Sequence, residues 1–151
     1  MLPTPTRFTL CVGAGEGASR LNAFDNALLA AKIGNFNLLK VSSILPPGAT
    51  HVEAVSVPPG SLVPTAYGSI SSDKAGERIS AAVGIGFSED TFGVIMEYSG
   101  KCSGHEAEEI VETMVREAFH TRQMRLVKVM VRGVEHTVVQ AGCAFAAVAL
   151  W

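Results

Sequence analysis

The chain has 151 residues, 48% of them apolar and only 17% charged, with a formal net charge of -2. That length buries one sizeable core, and the charge balance excludes the basic footprint that nucleic acid or an anionic membrane surface requires. Few charges on so apolar a chain argue that part of the surface is covered by further copies of it.

The N-terminal MLPTPTRFTL lacks the basic and apolar regions of a signal peptide. Arg7–Val12 reads as a short strand, followed by GAGEG, Gly13–Gly17, as a flexible surface loop. A dinucleotide fingerprint fails there, because its third glycine falls on Ala18 and the next strand ends in serines where a ribose-binding acid belongs. Asn22–Ile33 carries Ala23, Ala27, Leu28, Ala30 and Ala31 among good helix formers, and Gly34 stands where a left-handed cap is wanted.

Asn35–Ser43 returns to extended structure, so Asn37, Leu39, Val41 and Ser43 share one face and Phe36, Leu38, Lys40 and Ser42 the other. Pro46-Pro47-Gly48 makes a rigid exit. His51–Ile70, with Pro58, Pro59, Gly60 and Pro64, predicts short strands and turns. Ile79–Phe87 and Phe92–Tyr98 predict a hairpin across Ser88–Asp90. Ser103 with Glu106 forms a capping box. Beyond it Ala107, Ile110, Val111, Met114, Val115, Ala118 and Phe119 recur at helical spacing. Met124–Val131 and the apolar Cys143–Leu150 close the set as strands. The tail is far below the roughly 20 residues of a membrane-spanning helix. Two helices among about seven strands in mixed order imply an α/β layered sandwich.

Cys11, Cys102 and Cys143 form neither a CxxC pair nor a disulfide framework, which points to a reduced, cytoplasmic setting. His51, His105, His120 and His136 show no ligand spacing, so no metal is assigned. Asp25 reads first as an exposed helical acid, the alternative being a carboxylate that awaits a guanidinium. Glu97 is the single charge in FGVIMEY. It is either an edge-strand acid facing water or a desolvated carboxyl suited to general acid work. The pair Ser42-Ser43 in KVSSILPPG either ends a strand before a turn or does chemistry. In the second case the Ser43 hydroxyl attacks the carbonyl before it, converting peptide to ester.

KVSSILPPG, LNAFDNALLAAKIGNFNLLK, VPTAYG, IMEYSGKCS and EHTVVQAGCAFAAVALW, in order along nearly the whole chain, resemble pyruvoyl-dependent arginine decarboxylase. The resemblance implies a four-layer αββα sandwich with mixed, mostly antiparallel sheets. It also implies a proenzyme that cuts itself between Ser42 and Ser43 into chains 1–42 and 43–151. Ser43 then becomes a covalent pyruvoyl group that replaces pyridoxal phosphate. The activity implied is conversion of L-arginine to agmatine and carbon dioxide through a Schiff base on that group. Glu97 would be the proton donor, Asn37 a residue of both processing and decarboxylation, and Asp25 the guanidinium partner. Leu28, Phe36 and Ile44 would line the pocket.

Asn37 and Ser43 stand about 20 Å apart on an extended strand, so one subunit's Asn37 should serve another's Ser43. The family's trimers of processed pairs, with sites between subunits, agree with this. Two rivals stand beside it: the same chemistry on another basic amino acid, and a non-catalytic oligomeric ligand-binding domain that never cleaves.

Overall fold

In the computed structural model, which describes residues 2–151, the elements run β1 (Arg7–Gly17), α1 (Arg20–Ala30), β2 (Asn37–Lys40), β3 (Ile44–Leu45), β4 (Thr50–His51), β5 (Leu62–Ser72), β6 (Arg78–Phe87), β7 (Gly93–Gly100), α2 (Gly104–Thr121), β8 (Lys128–Thr137) and β9 (Ala141–Leu150). Two sheets form, one in the order β2-β5-β9-β1-β4 and the other β3-β7-β6-β8. β2 runs parallel to β5 and β4 parallel to β1; the remaining pairs are antiparallel. With α1 on the outer face of the first sheet and α2 on that of the second, the layers stack αββα, as the resemblance implied. Among the described residues no helix is long and apolar enough to cross a membrane.

β9 explains the apolar tail. All ten of its residues are buried, because Cys143, Phe145, Ala147 and Ala149 face α1 while Ala144, Ala146, Val148 and Leu150 face the opposite sheet. A strand covered on both sides loses the alternation of a half-exposed one. The inter-sheet core adds Phe8, Leu10, Ala66, Ile79, Val83, Ile85 and Ile95.

GAGEG is not a loop. It is the second half of β1, paired with β9 from Gly13↔Phe145 to Gly17↔Ala141. Its glycines admit the helix. A Cβ on Gly15 would lie 2.6 Å from the Ala27 backbone nitrogen, and one on Gly17 2.7 Å from that of Ala23. Ala23, Ala27 and Ala31 are the α1 residues that meet this ridge. Glu16 between the glycines bonds His136 of β8 at 2.5 Å and accepts the amides of Val139 and Gln140, tying the two sheets together at that end.

Other departures are local. α1 starts at Arg20 under a Ser19 cap, and its left-handed C-terminal residue is Lys32 (φ 65), not Gly34. Ile33 N–H to Leu28 O and Lys32 N–H to Leu29 O complete a Schellman motif. Gly34 serves close packing, since its Cβ would meet the Leu29 side chain at 2.7 Å. The short strands expected over His51–Ile70 resolve into β4 and the eleven-residue β5; Pro64 is tolerated because pairing with β9 begins only at Thr65. The hairpin of β6 and β7 and the α2 capping box stand as expected, with Glu106 N–H to Ser103 Oγ at 3.1 Å and Ser103 N–H to Glu106 Oε2 at 2.8 Å.

Gly15→Val should destabilise the fold by about 1–3 kcal/mol, the usual range for overpacking, with urea midpoint as the measurement. The same exchange at Gly76, where an added Cβ meets nothing within 4 Å but φ is +84, should act through backbone strain alone.

Candidate active site

The extended stretch expected from Asn35 to Ser43 stops early, and where it stops decides the site. β2 ends at Lys40, opposite Thr65 in the first sheet. Val41 N–H still bonds Thr65 O at 3.2 Å, but the Ser43 carbonyl already accepts Ile95 N–H of the second sheet at 2.6 Å. Ile44 then pairs with Val94 in β3. The chain therefore crosses between sheets at residues 41–43, with Ser42 exposed and Ser43 half-buried. The face alternation expected from the sequence holds only to Lys40. Beyond β3 the chain is turned back by PPG: Ala49 N–H bonds Pro46 O at 3.3 Å, and Gly48 takes φ 73. Pro47 and Gly48 occupy the two central positions of a type II turn, the places their backbones favour.

Glu97 lies two residues past Ile95 on β7, so it shares the inter-sheet face with the residue whose amide holds the Ser43 carbonyl. It faces β5: a Cβ on Gly68 would lie 3.4 Å from that of Glu97. Burial pushes its carboxyl above the ordinary range, and the charge of Lys40 draws it part of the way back. A carboxyl so placed can hold a proton and release it where charge develops. Glu97 is half-buried at this position.

Of the remaining residues, Ile44 adjoins the crossover and the others lie on β2 and α1 or between α1 and the first sheet. Asn37 begins β2 opposite Leu62, and its side-chain amide donates to Gly60 O at 2.9 Å. Leu28 is buried and Phe36 partly so, both in the layer between α1 and the first sheet. Ile44 is 42% exposed beside the crossover. Asp25 is exposed on α1 and, among the described residues, makes no ion pair. Leu21 and Leu29, one turn to either side, are exposed with it at 76% and 47%.

Two groups escape a sequence reading. Lys40 looks like a solvated strand end, although its Nζ sits 4.5 Å from the centroid of the Tyr67 ring. The Ile95 amide has no side-chain signature at all, because only the register of β7 brings it to Ser43.

Relatives include the pyruvoyl-dependent arginine decarboxylase of Methanocaldococcus jannaschii, 51% identical over 149 residues and covering 97% of this chain and 90% of the relative. That of Methanococcus aeolicus is 47% identical over the same length and coverage. That of Pyrococcus furiosus is 46% identical over 141 residues, 89% of this chain and 87% of its own. The family model for pyruvoyl-dependent arginine decarboxylase matches residues 7–151, and the chain belongs to that family.

Proposed function

We propose that the chain cuts itself between Ser42 and Ser43 and then decarboxylates L-arginine to agmatine and carbon dioxide. The observation that carries this reading is the serine pair in the crossover, with the Ser43 carbonyl held by Ile95 N–H at 2.6 Å and Glu97 two residues further along the same strand.

In the cut, the Ser43 hydroxyl attacks the Ser42 carbonyl and the peptide becomes an ester. Elimination releases the Ser42 carboxylate, and hydrolysis of the dehydroalanine left at 43 releases ammonia and leaves a pyruvoyl group. The residues present fit that group. The carbonyl of residue 43 survives the cut, so the Ile95 amide that holds it now would keep the new terminus on β7. The pyruvoyl group supplies a ketone for the substrate's α-amine and an electron sink as carbon dioxide leaves. The chain's own side chains do the rest. Glu97 delivers a proton to the substrate α-carbon, and the exposed Asp25 carboxylate takes the guanidinium.

The small chain, 1–42, would stay bound without the peptide link. Its β1 lies between β9 and β4, its β2 pairs with β5, and α1 covers the first sheet. Three free cysteines suit the cytoplasm. We also infer a trimer with sites between subunits. Asn37 is bonded to Gly60 at the far end of β2 from the crossover. Asp25 stands between the exposed Leu21 and Leu29, an acid framed by apolar surface that a neighbour would cover.

Intact mass under denaturing conditions should give two species for the wild type, ending at Ser42 and beginning at residue 43, and one full-length species for Ser43→Ala. A wild type that stays whole after warm incubation sinks the reading. Glu97→Gln should cut kcat by about 100-fold or more with little change in KM, the range for a lost general acid. Asp25→Asn should raise KM for arginine about 10- to 100-fold, as loss of a charge-assisted pair predicts, and narrow the preference over lysine and ornithine. Coexpressed Asp25→Asn and Glu97→Gln subunits should recover activity that neither has alone, because a site shared between subunits draws one intact group from each. Absence of recovery would place the whole site in one subunit.

A further inference from the structure

We infer that Lys40 is a positioning residue for this reaction: its ammonium, pinned on the Tyr67 ring, governs when Glu97 holds its proton. The inference rests on Glu97 being the proton donor proposed above.

Lys40 is exposed at the end of β2, and its ammonium lies against an aromatic face. β2 stops at Lys40, which leaves the edge of β5 unpaired from Tyr67 onward. The Lys40 Nζ occupies that edge, 4.5 Å from the centroid of the Tyr67 ring, well inside the roughly 6 Å at which a cation is attracted to an aromatic face. Tyr67 is itself fixed by Phe24 and Phe145, with ring centroids 6.4 Å and 5.2 Å away. The next residue, Gly68, faces the other way, against Glu97. Lys40 and Glu97 thus approach the same edge of β5 from opposite sides. They make no ion pair within 4 Å among the described residues. The ammonium lies against the ring and not in an ion pair with the carboxylate, so its charge acts on the carboxyl through space.

Among the described residues the other charged group in the same row is Arg132 of β8, one strand beyond Val83, and its guanidinium donates to Leu10 O at 3.1 Å. β6 offers Val83 opposite, β9 offers Ala146 across Gly68, and the crossover offers Ser42 and Ser43. Lys40 is the cation whose charge bears on the carboxyl, against the effect of burial. The arrangement also spans the proposed cut, because Lys40 lies on the small chain and Tyr67 and Glu97 on the large one.

The sign is set by an acid that works protonated. Turnover falls as pH rises through the Glu97 titration, and removing the cation moves that titration up. The test follows the carboxyl-carbon resonance of Glu97 in 13C-glutamate-labelled Ser43→Ala protein, which forms no pyruvoyl group; Glu97→Gln assigns the signal. Adding Lys40→Met should shift the titration to higher pH, and Lys40→Arg, which keeps a charge that stacks on tyrosine, should leave it where lysine does. Lys40→Gln should act as methionine does if the latter disturbs folding. In cleaved enzyme, Lys40→Met should extend the alkaline limb of kcat while KM changes less than about 3-fold. A Glu97 titration unmoved in both neutral variants overturns the inference. A wild type that makes no agmatine would defeat the functional reading instead, and the titration of the uncut protein would still decide how far Lys40 reaches.

Discussion

The active site depends on one constraint: the chain must leave one sheet and join the other within three residues. Val41 is the last residue hydrogen-bonded to the first sheet and Ser43 is already bonded to the second. Ser42 alone is left between two fixed points. The peptide between the serines is therefore held at both ends by backbone bonds that belong to different layers of the sandwich, and the layers are kept apart by the packed core of Ile79, Val83, Ile95, Ala146 and Val148. A hydroxyl and a carbonyl on adjacent residues become reaction partners only if the backbone keeps them oriented. In the proposed cut that constraint would come from the separation of two sheets and not from the local sequence. The type II turn at Pro46–Ala49 completes the constraint by sending the chain back to the first sheet as β4, which stops β3 after two residues.

What the sequence made legible follows the reach of the forces involved. The capping box of α2 involves two side chains three residues apart, and the apolar stripe behind it repeats every turn, so both could be read directly. β9 was legible as a buried strand because no polar residue interrupts it. GAGEG was misread because its glycines answer to a helix that only the folded chain lays across them. Glycine permits a loop, and glycine also permits backbone to approach backbone; without the partner the two look alike. The end of α1 misled for a similar reason. Lys32 takes the left-handed position because the hydrogen bonds to Leu28 and Leu29 fall there, while Gly34 is needed two residues later for contact with Leu29.

For the site, the serine pair and Glu97 stood out as oddities, but their proximity did not. It depends on the pairing of Ile44 with Val94, a two-residue strand with no signal of its own. Nor could alternation along a continuous strand have placed Ser43, since the strand ends at Lys40. Asn37 remains at the far end of β2, satisfied by Gly60. The family resemblance supplied its role, whereas the fold supplies the reason that role would have to be exercised in a neighbouring subunit.

A chain that breaks its own backbone must keep its fold afterwards, and the order of strands provides for this. The proposed small chain is not a peripheral segment. Its β1 forms ten residue pairs with β9, from Phe8↔Leu150 to Gly17↔Ala141, and Phe8, Leu10, Ala23, Ala27 and Leu28 are all buried. The proposed cut would remove a covalent link at a point where neither sheet relies on it, since Val41 before it and Ser43 after it are each already bonded to a sheet. The same division distributes the catalytic groups. Of the groups proposed for the site, Asp25, Asn37 and Lys40 would fall on the small chain and residue 43, Tyr67 and Glu97 on the large one. Under the proposed cleavage, retention of the small chain would be a condition of activity as well as of stability. The glycine ridge that lets α1 lie close on β1 also seats the helix that carries Asp25, the guanidinium partner proposed above.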